Sequence, residues 1–334
     1  MNSQNQIGTT GTSRRRARGC LLWLGAGLAF LLGLMLVGYI YEPIAEAADA
    51  RAYPPPGQLV DIGGYRLHIN CTGTGSPTVV IDSGLGDWST GWGFVQQEVA
   101  KKTRVCTYDR AGWGWSDAGP LPRDAAQFAK ELHSLLQNAS IPGPYVLVGH
   151  SLGGLGVRVF VHDYASEIAG VVLIDSMTPR QFNQSQITTQ SQTDAQSQPF
   201  SISALLARFG IVRLLARPLG IMPSGTPDER AYFSRMVRTQ SAQTLTDESQ
   251  GMPAAGAEAS AVKTFGDLPL IVLTAKLNKI PGWQEWQAEL MQLSSNSRQL
   301  FAESDHNIHF EAPDAAVAAI LQMVQEVREM GTKK

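Results

Sequence analysis

The hydrophobic pattern opens with one uninterrupted apolar stretch, Cys20 to Tyr41, that carries no charged residue. It is about the length a helix needs to cross a bilayer core, and the buried helix of a soluble fold rarely goes so long without charge. Before it, residues 1 to 13 are polar and aperiodic, which predicts a tail without fixed structure. After it, Glu42 to Gly57 combines Ala and Asp with Pro54, Pro55 and Pro56, the composition of a stiff spacer.

From Gln58 the pattern changes to short β-rich runs alternating with helical periods. Strands are expected at Gln58 to Ile62, Tyr65 to Cys71, Thr78 to Ile81, Arg104 to Tyr108, Tyr145 to Val148, Val171 to Ile174, Leu270 to Leu273 and Arg298 to Ala302. Helical spacing covers Asp124 to Ala139, Leu152 to Tyr164 and Ala315 to Met330. Such alternation predicts the α/β class, a mostly parallel sheet flanked by helices on both faces. The interval between Ile174 and Leu270 is far longer than a crossover needs. Gln181 to Gln198 is rich in Gln, Ser and Thr, whereas Ile202 to Leu215 and Asp228 to Arg238 have amphipathic spacing, so an inserted helical cap is expected over about 179–265. The expected organisation is a basic tail over 1–19, a transmembrane helix over 20–41, a linker over 42–57 and a globular domain over 58–334.

Composition narrows the function classes. The chain has 334 residues, 43% of them hydrophobic, enough for a substantial core, and a formal charge of -2 that offers no broad basic surface to a phosphate backbone. No nucleic-acid partner is expected. The concentrated charge is Arg14, Arg15, Arg16 and Arg18, directly before the apolar stretch. The positive-inside tendency keeps these arginines cytoplasmic and puts the globular part on the far side of the membrane. Ala45-Glu46-Ala47 has the small-x-small spacing of a signal-peptidase site, but the apolar run exceeds the usual signal core of about 7 to 15 residues, so a retained anchor is expected. A faint twin-arginine resemblance is outweighed by the hydrophobicity that follows. Three cysteines are too few for a disulfide scaffold and lack the close pairing of a zinc site.

The chemistry centres on Val146-Leu147-Val148-Gly149-His150-Ser151-Leu152-Gly153-Gly154, an apolar strand running through G-x-S-x-G into a helical period. That context is what a nucleophile elbow requires, a sharp strand-to-helix turn that holds the serine in a strained position. A serine hydroxyl is a weak nucleophile at neutral pH and needs a base within hydrogen-bond reach. Of six histidines, His68 falls in a strand, His150 in the elbow, and His133 and His162 in helices. His306 and His309 remain, in a loop leaving the sheet edge where the serine sits, and His306, nearer the strand end, is the expected base.

At this point the blocks Ser83-Gly84-Leu85-Gly86, Tyr108 to Asp117, Gly149 to Gly154 and His306 to Pro313 resemble, in order, the landmarks of the α/β-hydrolase superfamily. The resemblance covers nearly all of Gln58 to Met330 except the cap, and it implies that fold. It also implies an oxyanion hole from the backbone amides of Leu152, after the nucleophile, and Leu85, after the third strand. Ser83 stands where many relatives carry histidine. The family usually takes its acid from the loop after the seventh strand, but here that loop, Ala275 to Pro281, contains no carboxylate. Some relatives, certain haloalkane dehalogenases among them, use the end of the sixth strand instead, which makes Asp175 the expected orienting acid, with Glu285, Glu303 and Asp305 as alternatives. Asp109 and Arg110 are expected to pin their loop rather than react. Trp88, Trp92, Trp113 and Trp115 suit either an acyl or aromatic pocket or core packing. In the fold implied, Cys71 and Cys106 lie on adjacent strands, where an extracytoplasmic compartment would favour a disulfide.

The expected function is hydrolysis of an ester or related acyl bond in an apolar small-molecule substrate, through an acyl-enzyme, with no metal or organic cofactor implied. Thioester, lactone and carbon-carbon bond hydrolysis and perhydrolysis stay open on the same fold. The competing class is a non-catalytic, membrane-anchored binding protein that keeps the pocket.

Overall fold

The computed structural model describes residues 10–182, 202–216 and 227–332. Its first element, α1 (Thr10–Ala52), is one continuous helix. It therefore starts inside the tail expected to lack structure and passes Tyr41, where the span was expected to end, taking in most of the expected 42–57 spacer. The reason is local. Ala45, Ala47, Ala48, Ala50 and Ala52 are strong helix formers that propagate a helix already nucleated, and the three prolines then stop it. From Leu21 onward α1 is long and apolar enough to cross a membrane.

The sheet strands are β1 (Gln58–Asp61), β2 (Arg66–Thr72), β3 (Thr78–Asp82), β4 (Val105–Tyr108), β5 (Tyr145–His150), β6 (Ile168–Ile174), β7 (Leu270–Ala275) and β8 (Ser297–Ala302). They form one sheet in the order β1-β2-β4-β3-β5-β6-β7-β8. Pairing is antiparallel for β1–β2 and β2–β4 and parallel from β4 to β8. Every expected strand is present. Cys71 and Cys106 face each other across β2 and β4, the adjacency that the resemblance implied, and are joined in a disulfide.

Successive side chains of a strand point to opposite faces, and the central strands serve two cores. Val80, Leu147, Val171 and Leu173 pack on one face with α3 (Ala125–Asn138) and α4 (Leu152–Asp163). Val79, Val146, Val148 and Val172 pack on the other with α2 (Gly93–Ala100) and the C-terminal helix. Asp124 caps α3 by accepting a hydrogen bond from the Gln127 amide at 2.9 Å, satisfying one of the donors a helix start leaves open.

The described part of the cap is helical. The amphipathic run expected over Ile202 to Leu215 is broken at Gly210, whose φ of +69° interrupts the helix, into α5 (Ile202–Arg208) and α6 (Ile211–Ala216). Then come α7 (Pro227–Met236) and α8 (Thr239–Ala261). The long α8 has no sequence-based counterpart, because it buries small and polar residues such as Ser241, Thr244, Gly251 and Ala255 rather than an apolar stripe. Most of the Gln-, Ser- and Thr-rich run lies outside the described residues. The chain closes with α9 (Trp283–Leu290), a short α10 (Ile308–Glu311) and α11 (Pro313–Gly331).

Candidate active site

Parallel strands deliver their following loops to one edge of the sheet, and four expected site segments leave from that edge. Ser83 to Leu85 follows β3, Ser151 follows β5, Asp175 follows β6 and His306 lies in the loop after β8. The register sets them level, with Asp82 beside Gly149 and His150 beside Ile174.

Ser151 sits at the strand-to-helix turn with φ 49° and ψ −121°, a strained conformation for a residue with a side chain. Its hydroxyl does not cap α4 and is free to face the histidine. Ser151 Oγ lies 2.9 Å from His306 Nε2, and His306 Nδ1 lies 2.7 Å from Asp175 Oδ2. Hence in the neutral imidazole Nδ1–H donates to Asp175 and Nε2 accepts from the Ser151 hydroxyl. The Asp175 side chain is fully buried and that of His306 is about a third exposed.

A buried carboxylate needs donors, and Asp175 has three besides the imidazole. Oδ1 accepts from the Ala275 amide at 2.9 Å and from Trp283 Nε1 at 2.8 Å, while Oδ2 also accepts from Asn278 Nδ2 at 2.9 Å. Asn278 belongs to the loop after β7 that lacks a carboxylate, so this segment supplies a donor to an acid carried by its neighbour. The Trp283 ring also meets the His306 ring edge-on at 5.4 Å between centroids. The three alternative acids lie elsewhere: Glu303 pairs with Lys276, Asp305 accepts from the His306 backbone amide, and Glu285 is exposed on α9.

Leu152 is the first residue of α4, so its N–H has no intrahelical partner. Among the described residues neither it nor the Leu85 amide has a hydrogen-bond acceptor. The loop carrying Leu85 passes close to the serine: a Cβ on Gly84 would stand 3.2 Å from Ser151 Cβ and 2.8 Å from His150 Nδ1. Arg110 holds this loop from behind. Its guanidinium donates to the Ser83 and Gly84 carbonyls and pairs with Asp82 at 2.8 Å and with Glu248 of α8 at 2.8 and 2.9 Å. The Ser83 to Leu85 loop is thereby tied to the cap.

His309 does not reach the serine. It is buried, stacked on Trp92 at 4.3 Å, with Nε2 3.2 Å from Asp87. His150 lies beside His306, its Nε2 3.1 Å from the His306 carbonyl oxygen. Burial first, then neighbouring His309 and His306, holds its pKa well below the usual histidine value, so it stays neutral. Asp109 pins its loop as expected, accepting from the Ser89 and Trp115 amides at 2.9 Å each. The four tryptophans are all buried. Trp88 lies between Trp113 and Tyr232 of α7 and so packs against the cap, and Trp115 Nε1 donates to the Tyr53 carbonyl just after α1.

Of the residues named from the sequence, the structure brings Ser151, His306 and Asp175 into contact and places the loop of Leu85 beside Ser151. Sequence reasoning missed Trp283, Asn278 and Glu248. Only Asn278 carried a signal, as a polar side chain in the loop where the resemblance implies an acid.

Residues 79–320 match the model of the Alpha/beta hydrolase family, and the chain belongs to that family. Among solved structures it is similar to a thermophilic esterase from Thermogutta terrifontis (TM-score 0.60, 19% identity, covering 79% of this chain and 94% of that one). It is also similar to the enol-lactonase from Burkholderia xenovorans LB400 (TM-score 0.57, 18% identity, covering 80% and 100%). At these identities the likeness is one of fold. A curated relative, the uncharacterized protein C23C11.06c of Schizosaccharomyces pombe, is 26% identical over 300 residues, 76% of this chain. The chain spans 52% of that relative's length and 18% of the length of a curated relative from Hormonema carpetanum.

Proposed function

We propose that the chain is a membrane-anchored serine hydrolase that cleaves an ester or a related acyl bond through an acyl-enzyme. The observation that carries this reading is the continuous contact from Ser151 Oγ through the His306 ring to Asp175, at 2.9 and 2.7 Å. Ser151 Oγ attacks the substrate carbonyl carbon while its proton passes to His306 Nε2. The carbonyl oxygen becomes an oxyanion, which the Leu85 and Leu152 amides receive at the positive end of α4. Collapse of the tetrahedral intermediate expels the leaving oxygen, which takes the proton from His306. Water then repeats the sequence on the acyl-enzyme, giving up its proton to His306, and the acid product leaves with Ser151 restored. Asp175 holds the tautomer and stabilises the imidazolium.

The anchor is the apolar segment 20–41, with the arginines before it cytoplasmic and the hydrolase domain on the other side. Added protease digests the globular part in intact spheroplasts on this reading, and complete protection reverses the orientation. The reaction is tested by exposing the full chain in detergent to a fluorophosphonate probe. A single adduct on Ser151, lost in Ser151→Ala and in His306→Ala, is the expected result. A folded wild type that takes no label overturns the hydrolase and favours the binding protein.

A further inference from the structure

The cap is docked on the apolar helix as well as on the hydrolase domain. A Cβ on Gly38 would stand 2.1 Å from the Phe209 carbonyl oxygen, so the turn between α5 and α6 lies directly against the α1 backbone. Arg208 stacks over the Tyr39 ring at 4.6 Å and reaches its hydroxyl at 3.1 Å. Further along α1, Arg213 of α6 pairs with Glu42, one turn past Gly38, at 2.9 Å and with Asp49, about three turns past it, at 2.7 Å. These contacts fix the height of the cap on the helix. Gly38 lies three residues inside Tyr41, the end of the apolar stretch, which is about 5 Å at 1.5 Å rise per residue.

Two further observations are set by that height. First, α5 and α6 present large apolar side chains outward, with Ile202 78% and Leu214 75% exposed beside the equally bare α1. Such a surface is unfavourable in water and normal for helices lying about 5 to 10 Å deep in a membrane interface. Second, a cavity of about 960 Å³ separates α1 from the cap, lined on one wall by Leu31, Leu34 and Val37 and on the other by Ile211, Leu214 and Phe233. Leu31 lies ten residues inside Tyr41, about 15 Å down the helix, half of a hydrocarbon core about 30 Å thick. The inner part of the cavity thus runs from the interface to the bilayer midplane, the depth occupied by one lipid chain, and its outer part, lined by Tyr53 and Arg230 as well, lies beyond the apolar stretch. Arg213 and Asp49 line it too, on the side where the chain leaves the apolar stretch. Its inner part, lined by apolar side chains, stays dry or takes an apolar guest.

We infer that α5 and α6 are immersed in the bilayer beside the span, and that the chamber between them and α1 binds the acyl chain of a membrane lipid. The inference rests on the reading of 20–41 as a membrane span, and does not depend on catalysis by Ser151. The test uses the full chain in phosphatidylcholine vesicles that contain a phosphatidylcholine with a diazirine on one acyl chain, followed by irradiation and peptide mapping. Adducts are expected on both walls, at Ile211 and the otherwise buried Phe233 as well as along α1. In Leu34→Trp, which fills the chamber, the adducts on Ile211 and Phe233 fall by about fivefold or more, while those at Leu24 and Leu28 persist. Adducts at Leu24 and Leu28 with none at Ile211 or Phe233 overturn the chamber and leave the span standing. No adduct anywhere on α1 overturns the span and the inference with it. Unchanged labelling of Phe233 in Leu34→Trp also refutes the chamber as the binding place.

Discussion

Replacing Asp175 by Asn probes the site without removing its shape. Asp175 has φ 41°, a left-handed conformation that Asn tolerates better than most residues, so the backbone accepts the change. The new amide has one oxygen and one NH₂ to place. Oδ1 faces the Ala275 N–H and Trp283 Nε1–H, two donors that cannot turn around, so the oxygen must stay there. The NH₂ then takes the Oδ2 position, 2.7 Å from His306 Nδ1. It can only donate, which forces Nδ1 to accept and moves the ring proton to Nε2, where it blocks acceptance of the Ser151 proton. An enforced wrong tautomer of this kind lowers turnover by about 10⁴-fold, some 5 kcal/mol of transition-state stabilisation. Asn278 Nδ2 also loses its acceptor, and it cannot simply flip, because its Oδ1 accepts from the Ile280 amide at 3.1 Å. Loss of that bond to a charged group costs about 1.5–3 kcal/mol of stability, little enough for a large domain to stay folded. The assay is turnover of an activated acyl ester alongside far-UV circular dichroism and urea unfolding. A folded variant that keeps turnover within about tenfold of wild type refutes the assignment of Asp175.

Glu248→Gln leaves Arg110 buried with one of its two carboxylate partners and is expected to cost about 3–5 kcal/mol in urea unfolding; a change under about 1 kcal/mol contradicts the tie between the cap and the Ser83 to Leu85 loop. Burial, reinforced by Asp124, pushes Glu258 up to about 7 from 4.5, and burial pushes Asp82 up to about 6. In that range the folded chain keeps protons that the unfolded chain has released, so the urea midpoint falls as pH rises from about 4 toward 7, and Glu258→Gln flattens the upper part of the fall. A midpoint that rises across the window contradicts the buried carboxyls. The disulfide between Cys71 and Cys106 closes a segment of 35 residues, worth about 4 kcal/mol by loop-closure entropy. The double Ser variant is expected to lose about that much, and alkylation of the non-reduced chain to leave both cysteines unmodified; two alkylated thiols rule the bridge out.

The strands, the elbow and the candidate base His306 were readable from the chain because each is marked by a local pattern or by its place after a strand. An alternation of buried runs and helical periods dictates a parallel sheet, and a strand, a G-x-S-x-G and a helix in succession dictate the turn at Ser151. Asp175 was reachable only through the resemblance, since nothing local separates it from any other acid at a strand end. The extent of α1 was misjudged where the apolar pattern ended at Tyr41, although alanines carry the helix on to Ala52 on propensity alone. Tertiary structure alone decided the partners that meet across long stretches of chain. Trp283 reaches Asp175 from 108 residues away and Glu248 reaches Arg110 from 138, and neither lies in a pattern that points to its partner. The same holds for Gly38 and Phe209, because the contact of a helix backbone with a turn is made by the absence of a side chain, which leaves no mark in a hydrophobic pattern.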